Sequence, residues 1–358
     1  MNFKQSLEKI YENLFDSLRA RSAKRTRIKQ FKNKASKKAL SSQQIKEIKK
    51  YYEPYKIPHL AFHRYFTEKT GVFCANYIPQ DIYVGYIDPY LNNLREARYV
   101  DNKCYYDLLF RQVAQPHLVL KRMNNFWLNH NGEIVTPDEM KNIIDSENKG
   151  LFVKEAQVSS GGFGILFVDH SEDAYDKIIK FTNKIKTDVV IQRPVTQHTD
   201  LAKFNSSSVN SLRIYSVLHK DGSVKIYSSV LRIGVGDIKV DNYSSGGVSC
   251  GVTEDGFLRK YAYNKNGDRV EKHPYTNVVF EGCQIPSFDK AVKLVQTTHP
   301  TISHFRSVSW DIAIDESGEP ILIEANLCRG GIDLLQLSNG PLFGDDTKAI
   351  LDEVFSKK

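Results

Sequence analysis

The chain has 358 residues, 41% hydrophobic and 26% charged, with 19 Tyr and 19 Phe, enough apolar surface for one large core or two to three smaller ones. Its net charge of +8 is uneven: residues 1–50 carry 15 Lys/Arg against 4 Asp/Glu, which leaves the other 308 residues at −3. No apolar run approaches the ~18 residues needed to span a bilayer, no signal-peptide hydrophobic stretch follows Met1, and the five cysteines are an odd, scattered set without C-x-x-C, which argues against a zinc site or disulfide framework and for a reducing cytoplasm.

In chain order, Phe3, Leu7, Ile10, Leu14 and Leu18 recur at helical spacing and predict an amphipathic helix over 3–19. A Lys/Arg-rich stretch from Arg19 to Lys38 follows, then a helix from Gln43 to Tyr52 capped by Ser41-Ser42. Pro54 and Pro58 end this basic helical part (1–58), which either packs on the body or lies on an anionic surface. Residues 59–115 are mixed and aromatic-rich, with a helix opening at Asp101-Asn102-Lys103 and ending before Pro116. The next part (116–190) reads as a strand from His117 to Lys121, a turn at Asn129 to Gly132, and a helix entered through the capping box Thr136-Pro137-Asp138-Glu139. Strands Leu151–Lys154 and Ile165–Val168, a helix from Asp173 to Phe181 and the apolar strand Val189–Ile191 complete it. The last part (191–358) holds two long hairpins, Ser211–Gly234 and Trp310–Asn326, separated by a loop-rich region, and a final helix from Asp345 to Phe355.

The second hairpin carries the strongest chemical signal. Pairing Ile314 with Ile321 across its turn sets Asp311 directly opposite Glu324, with Asn326 on the same face. Like charges so placed destabilise a sheet unless something neutralises them. Two carboxylates and an amide oxygen form an all-oxygen donor set suited to Mg²⁺ or Mn²⁺ bridging phosphates. Ile312, Ile314, Ile321 and Ile323 take the opposite, buried face; a slip of one residue would turn the carboxylates to water instead.

The first hairpin turns at Asp221-Gly222, a two-residue hairpin signal. Lys220 then pairs with Ser223 and Arg213 with Val230, and Arg232 becomes a diagonal neighbour of Arg213. Two adjacent guanidiniums repel unless an anion lies between them, and phosphate or carboxylate fits that place; the plainer reading is two arginines on a sheet edge. Lys154 ends its strand just before Ser159-Ser160-Gly161-Gly162-Phe163-Gly164, where glycines let backbone N–H groups approach phosphate oxygens. The lysine precedes the glycines, so this is not a Walker A loop. Asp241-Asn242-Tyr243-Ser244-Ser245-Gly246-Gly247 reads as a polar loop over a site.

In this order (lysine strand, glycine loop, Val190-Ile191-Gln192 hinge, arginine strands, Asp strand, Glu-x-Asn strand) the parts resemble the ATP-grasp superfamily. Ser208-Val209-Asn210-Ser211-Leu212-Arg213, Leu231-Arg232-Ile233-Gly234, Asp241-Asn242 with Gly246-Gly247, Trp310-Asp311-Ile312 and Ile323-Glu324-Ala325-Asn326 resemble the sugar-transfer-associated branch, over about residues 100–340. The arginine, Asn242 and Gly-Gly segments are also similar to those of the glutamate-ligase members. The resemblance implies an α+β fold of two subdomains gripping ATP, 116–190 as the small one and 191–358 as the large one with the metal site, behind a basic helical N-terminal extension. It implies Lys121, Lys154, Ser160, Gly161 and Gly162 on the phosphates, Gln192 and Pro194 beside the adenine, and Asp311, Glu324 and Asn326 on one or two Mg²⁺. Arg213, Arg232 and Asn242 would act on the transferred group, and His273-Pro274 with Gln284-Ile285-Pro286 would shape the acceptor pocket. The hinge often has a carboxylate where this chain has Gln192, and the first 100 residues do not resemble the usual first domain.

By the same resemblance, ATP activates a carboxylate as an acyl phosphate for attack by an amine, in polysaccharide or glycoconjugate assembly. The basic segment 1–50 fits an anionic membrane surface or lipid-linked glycan, so the expected place is the cytoplasm, peripheral at the inner membrane surface. The rivals are a kinase on the same fold, a nucleotide-binding pseudo-enzyme, and a nucleic-acid binder working through residues 19–38. Nucleic acid is disfavoured because that stretch holds a single aromatic, Phe31, and no interleaved series of them.

Overall fold

The computed structural model describes residues 21–22, 24–157, 164–237, 246–328 and 330–356. The expected helix over 3–19, the Ser160-Gly161-Gly162 loop and Asn242 lie outside the described residues. The chain forms two compact units, one of residues up to Asn92 together with those from Gly331 onward, the other of Asn93–Gly330.

The first unit is helical. Its helix Ser42–Tyr52 starts at a reciprocal cap: Gln44 N–H donates to the Ser41 hydroxyl (3.2 Å) and Ser41 N–H to the Gln44 side chain (2.8 Å). That helix buries Ile48 and Tyr52, and helix Ala61–Thr70 buries Phe62, Tyr65 and Phe66. The stretch from residue 59 to Asn92 is a run of short helices. The C-terminal part joins this unit through Gln336 on helix Ile332–Asn339. Its buried amide accepts from Ile78 N–H (2.7 Å) and donates to Ile78 C=O (2.8 Å), as a neighbouring strand would. The last helix is Thr347–Phe355, with Ile350 and Leu351 buried.

The second unit holds two antiparallel sheets. The smaller is ordered β2-β1-β5-β3-β4 and built from β1 (Leu118–Met123), β2 (Phe126–Asn129), β3 (Leu151–Glu155), β4 (Ile165–Val168) and β5 (Val189–Gln192). One face presents Val119, Val153, Val189 and Ile191 to Met140 and Ile144 of helix Pro137–Asp145 and to Ala174 and Ile178 of helix Ala174–Thr182. The first of these helices begins with the expected capping box. Between β1 and β2 the chain turns at Asn124 and Asn125, both left-handed (φ 48° and 67°). Two consecutive positive φ values match the strand twist of a tight hairpin, and asparagine tolerates them. The turn expected at Asn129–Gly132 forms as well, one step later, closed by Gly132 N–H on Asn129 C=O.

The larger sheet is ordered β10-β9-β8-β7-β6-β11-β12. Its strands are β6 (Ser211–Leu218), β7 (Val224–Ile233), β8 (Val248–Val252), β9 (Leu258–Tyr263), β10 (Arg269–Val270), β11 (Ser307–Ile314) and β12 (Pro320–Asn326). Three of these, β8 to β10, run where a loop-rich region was expected, and helix Phe288–Thr298 follows them. Leu212, Ile214, Leu231, Ile233, Trp310, Ile312 and Ile314 form the core face against Ala291 and Val295 of that helix. The other face carries Arg213, Arg232, Asp311, Glu324 and Asn326 beside Tyr215, Val217, Val230 and Ala313, and most of these side chains are buried too.

Candidate functional site

Two lysines lie in one row of the smaller sheet. Lys121 of β1 and Lys154 of β3 both pair with Val190 of β5, so all three share the face away from the helices. The buried Lys121 ammonium donates to Asp107 Oδ2 (2.7 Å) and to Cys104 C=O (3.0 Å). Lys154 donates to Gln192 Oε1 (3.1 Å) and sits 5.4 Å from the Phe152 ring centroid. Gln192 thus stands at the end of β5 beside Lys154, with half-buried Pro194 just beyond. Between them Arg193 grips Glu147 through two hydrogen bonds of 2.7 and 2.9 Å.

On the larger sheet, Asp311 pairs with Arg213 on one side and Glu324 on the other. Arg213 donates Nε to Asp311 Oδ1 (2.8 Å) and Nη2 to Oδ2 (2.7 Å), and Arg232 Nη1 also reaches Oδ2 (2.8 Å). The Asn326 amide nitrogen faces Ser309 C=O (3.1 Å) and Asp311 Oδ2 (3.4 Å). Burial pushes the Asp311 carboxyl up, but the Arg213 and Arg232 charges and the hydrogen bonds from Arg213 and Asn326 outweigh it. The group is held well below the usual carboxylate range. The two arginines therefore stand around a protein carboxylate, not on a sheet edge.

Two β-bulges aim these residues. From its turn, β12 pairs Pro320 with Ile314, Ile321 with Ala313 and Leu322 with Ile312; the register then shifts, leaving Ile323 unpaired before Glu324 meets Asp311. Without the shift Ile323 would face Asp311, and Glu324 and Asn326 would point into the core. The same device acts in β7, where Ile226 pairs with Ser216, Tyr227 is skipped, and Ser228 pairs with Tyr215. That skip puts Arg232 on the face of Arg213. The expected Ile314–Ile321 and Lys220–Ser223 pairings do not form, because at both turns the register differs by one residue: Pro320 rather than Ile321 faces Ile314, and His219 rather than Lys220 faces Ser223. His219 pairs with Ser223 and Asp315 with Glu319, around Gly222 and Gly318 at φ 85° and 84°. Buried Leu322 and Ala325, with half-buried Ile321 and Ile323, replace the expected buried Ile321 and Ile323.

A connector that includes Lys103–Tyr105 and Tyr106–Leu109, two short turns in place of the expected single helix, ties the two sheets together. Lys103 N–H donates to Ala156 C=O beyond β3 (2.9 Å), while its ammonium donates to Glu324 Oε1 at 2.6 Å. The Tyr106 hydroxyl accepts from Ala325 N–H (3.0 Å) and lies 3.4 Å from Ala325 C=O. Leu322 N–H reaches Ala114 C=O and Leu327 N–H reaches Asp101 Oδ1. The connector so covers the outer edge of β12. Lys103 escaped the sequence reading because a lone lysine in a turn has no spacing to betray its partner.

Among the described residues no three His, Cys, Asp or Glu side chains form a metal-binding group. Asp311, Glu324 and the Asn326 amide nonetheless offer only hard oxygen donors, which fits Mg²⁺ that draws much of its coordination from phosphate oxygens and water. His273 Nε2–H donates to Gly234 C=O (2.9 Å), and its Nδ1 accepts from Thr276 N–H (3.2 Å). It lines, with Pro274, a surface cleft of about 420 Å³ that includes none of the Asp311 cluster. No helix of the described residues is long and apolar enough to cross a membrane.

The fold is similar to those of several solved ligases. D-alanyl-alanine synthetase A from Vibrio cholerae shares 15% identity over 72% of this chain and 66% of its own, with a TM-score of 0.42. The L-amino acid ligase from Bacillus licheniformis shares 14% over 73% and 48%, with a TM-score of 0.41. An N5-carboxyaminoimidazole ribonucleotide synthetase solved with ADP shares 11% over 64% and 45%, with a TM-score of 0.39. The chain spans less than half of the length of the last two, and at such identities and TM-scores the likeness bears on neither substrate nor mechanism. No curated protein matches the sequence. The model of the family described as sugar-transfer associated ATP-grasp matches residues 85–350, well over half of the chain, and the chain belongs to that family.

Proposed function

We propose that this chain is an ATP- and Mg²⁺-dependent ligase that activates a substrate carboxylate as an acyl phosphate for attack by an amine. The observation that carries the reading is the convergence of Asp311, Glu324 and Asn326 with Arg213 and Arg232 on one sheet face, in a chain of the ATP-grasp family. Lys121 and Lys154 hold the nucleotide phosphates, Ser160, Gly161 and Gly162 are assigned to the same phosphates by the family pattern, and Gln192 and Pro194 border the adenine. Asp311, Glu324 and Asn326 hold Mg²⁺, which when bound neutralises charge on the phosphates. Arg213, Arg232 and Asn242 orient the carboxylate and the transferred phosphoryl group. The γ-phosphoryl passes to a carboxylate oxygen and ADP leaves; the amine then adds to the carbonyl, loses a proton, and phosphate departs. This work is positioning and charge neutralisation and needs no protein nucleophile.

The family description favours a sugar-linked substrate in polysaccharide or glycoconjugate assembly. Lys32, Lys34, Lys37, Lys38, Lys46, Lys49 and Lys50 are exposed and support docking of the cytoplasmic enzyme on an anionic membrane or lipid-linked glycan. Binding to anionic vesicles that weakens with salt supports that docking; salt-insensitive binding, or none, removes it.

The test of the activity is thermal unfolding with Mg²⁺ and a nonhydrolysable ATP analogue. Binding to the native state stabilises by ~2.7 kcal/mol at a hundredfold excess over the dissociation constant, and the rise should vanish in Glu324→Ala. Phosphate release from ATP only when acid and amine are both present then identifies a ligase. Phosphate retained on a hydroxyl acceptor would make the chain a kinase, and no shift in folded wild type would end the reading.

A further inference from the structure

Three cations and two carboxylates meet where the metal is proposed. Asp311 is shared by Arg213 and Arg232, and Glu324 is held by Lys103. A bare divalent cation arriving there finds both carboxylates already engaged by these cations, whereas a metal carried on polyphosphate brings negative charge that the cations can turn to. Lys103 is built for that exchange. Asn102 accepts Cys104 N–H and donates to Asp188 Oδ2 (2.7 Å), and Lys103 N–H is fixed on Ala156 C=O. The backbone of Lys103 is therefore anchored at the end of the lysine-bearing sheet while its ammonium, 9% exposed, reaches across to the other.

Resting on the ligase reading above, we infer that Lys103 is a positioning residue that stands in for the metal on Glu324 and moves onto nucleotide phosphate when the metal–nucleotide complex binds. It makes metal binding depend on nucleotide. A compact ammonium on a flexible stem can change partners in this way without backbone movement. In its absence Glu324 would be open to a metal alone, and the phosphates would lose one cation.

The probe is Mn²⁺, titrated calorimetrically into the full chain with and without a nonhydrolysable ATP analogue. Wild type should bind Mn²⁺ weakly alone and strongly with the analogue. Lys103→Met should bind Mn²⁺ alone at least about tenfold more tightly, the lower end expected from releasing a close charge pair, and should gain less from the analogue. Lys103→Arg keeps the charge and should behave as wild type. Unchanged or weaker Mn²⁺ binding by a folded Lys103→Met overturns the inference, as does a Lys103→Arg that binds Mn²⁺ alone as tightly as Lys103→Met should. Should Lys103→Met not fold, the arginine variant and the wild-type contrast still decide. Failure of the ligase reading is seen separately, as wild type that binds no Mn²⁺ even with the analogue, and the inference falls with it.

Discussion

Arg213 holds Asp311 through two parallel hydrogen bonds of 2.8 and 2.7 Å, with the Asp311 side chain 4% and the Arg213 side chain 15% exposed. Breaking a buried pair from one side strands the other charge, at about 3 kcal/mol or more. Arg213→Met should cost about that much in urea unfolding, tempered by Arg232, which still reaches Asp311. Arg213→Lys should cost less than the methionine change but remain clearly destabilised, since an ammonium cannot make the parallel pair. Equal stability of lysine variant and wild type would show that the fork geometry contributes nothing.

Beside Arg232 in the ladder lies Ser249, whose buried hydroxyl has no hydrogen-bond partner among the described residues. An orphaned buried polar atom costs about 1–3 kcal/mol. Ser249→Ala should therefore raise the unfolding free energy by about 1 kcal/mol, unusual for a change next to a candidate site. A loss of stability of similar size would mean that the hydroxyl finds a partner in solution.

The buried His299 ring is held between the Ser216 hydroxyl (2.8 Å) and Phe305 C=O (2.8 Å), and Trp310 donates to the same hydroxyl. Burial lowers its pKa to about 4. A group depressed below its unfolded value of about 6.5 binds more protons unfolded than folded. Its contribution, about 3 kcal/mol for this shift, is complete above about pH 6.5 and is lost as pH falls through 4. His63, also pushed to about 4 by burial, adds a loss of the same sign. Asp311, likewise depressed, adds a further loss only as pH drops below the ordinary carboxylate range. Urea midpoints of wild type should fall from pH 7 to pH 4.5. His299→Gln should start lower and decline less steeply; a parallel decline would remove His299 as a cause.

The pairing of Asp311 with Glu324 was legible in the sequence for a reason that only partly holds. Both hairpins were read one residue out of register at the turn, and in both the bulge at Ile323 or Tyr227 restored the pairing at the site end. Hydrophobic alternation reports which face must be buried, and that demand survives such local irregularity. It cannot locate the irregularity, because a bulge has no obligatory residue type. Capping boxes at Ser41 and Thr136 were legible because their signal is local. Strands β8 to β10 were not, since Ser249, Gly251 and the Gly256 and Gly267 turns dilute their apolar pattern. Partners distant in sequence, such as Lys103 with Glu324 or Asp107 with Lys121, leave no mark on spacing at all.

Tyr106 is another such distant partner, and it bears on the proposed metal ligands Glu324 and Asn326. Glu324 and Asn326 flank Ala325 on β12, a strand at the end of its sheet. The Ala325 N–H turns away from β11 and is taken by the buried Tyr106 hydroxyl at 3.0 Å. Tyr106→Phe keeps the ring in its contact with Phe110 but leaves that N–H without its acceptor. The cost should be about 1–3 kcal/mol in urea unfolding. Loss of this anchor also loosens the backbone that sets the spacing of Glu324 and Asn326. Affinity for Mn²⁺ with a nonhydrolysable nucleotide should therefore fall several-fold at a temperature where the variant is fully folded, with affinity for metal-free nucleotide nearly unchanged. Equal weakening of both would place the effect in Lys121 and Lys154, proposed above to hold the phosphates, because Tyr106 precedes Asp107, the partner of Lys121. The split between the two ligands thus tells edge anchoring of β12 from disturbance of the connector.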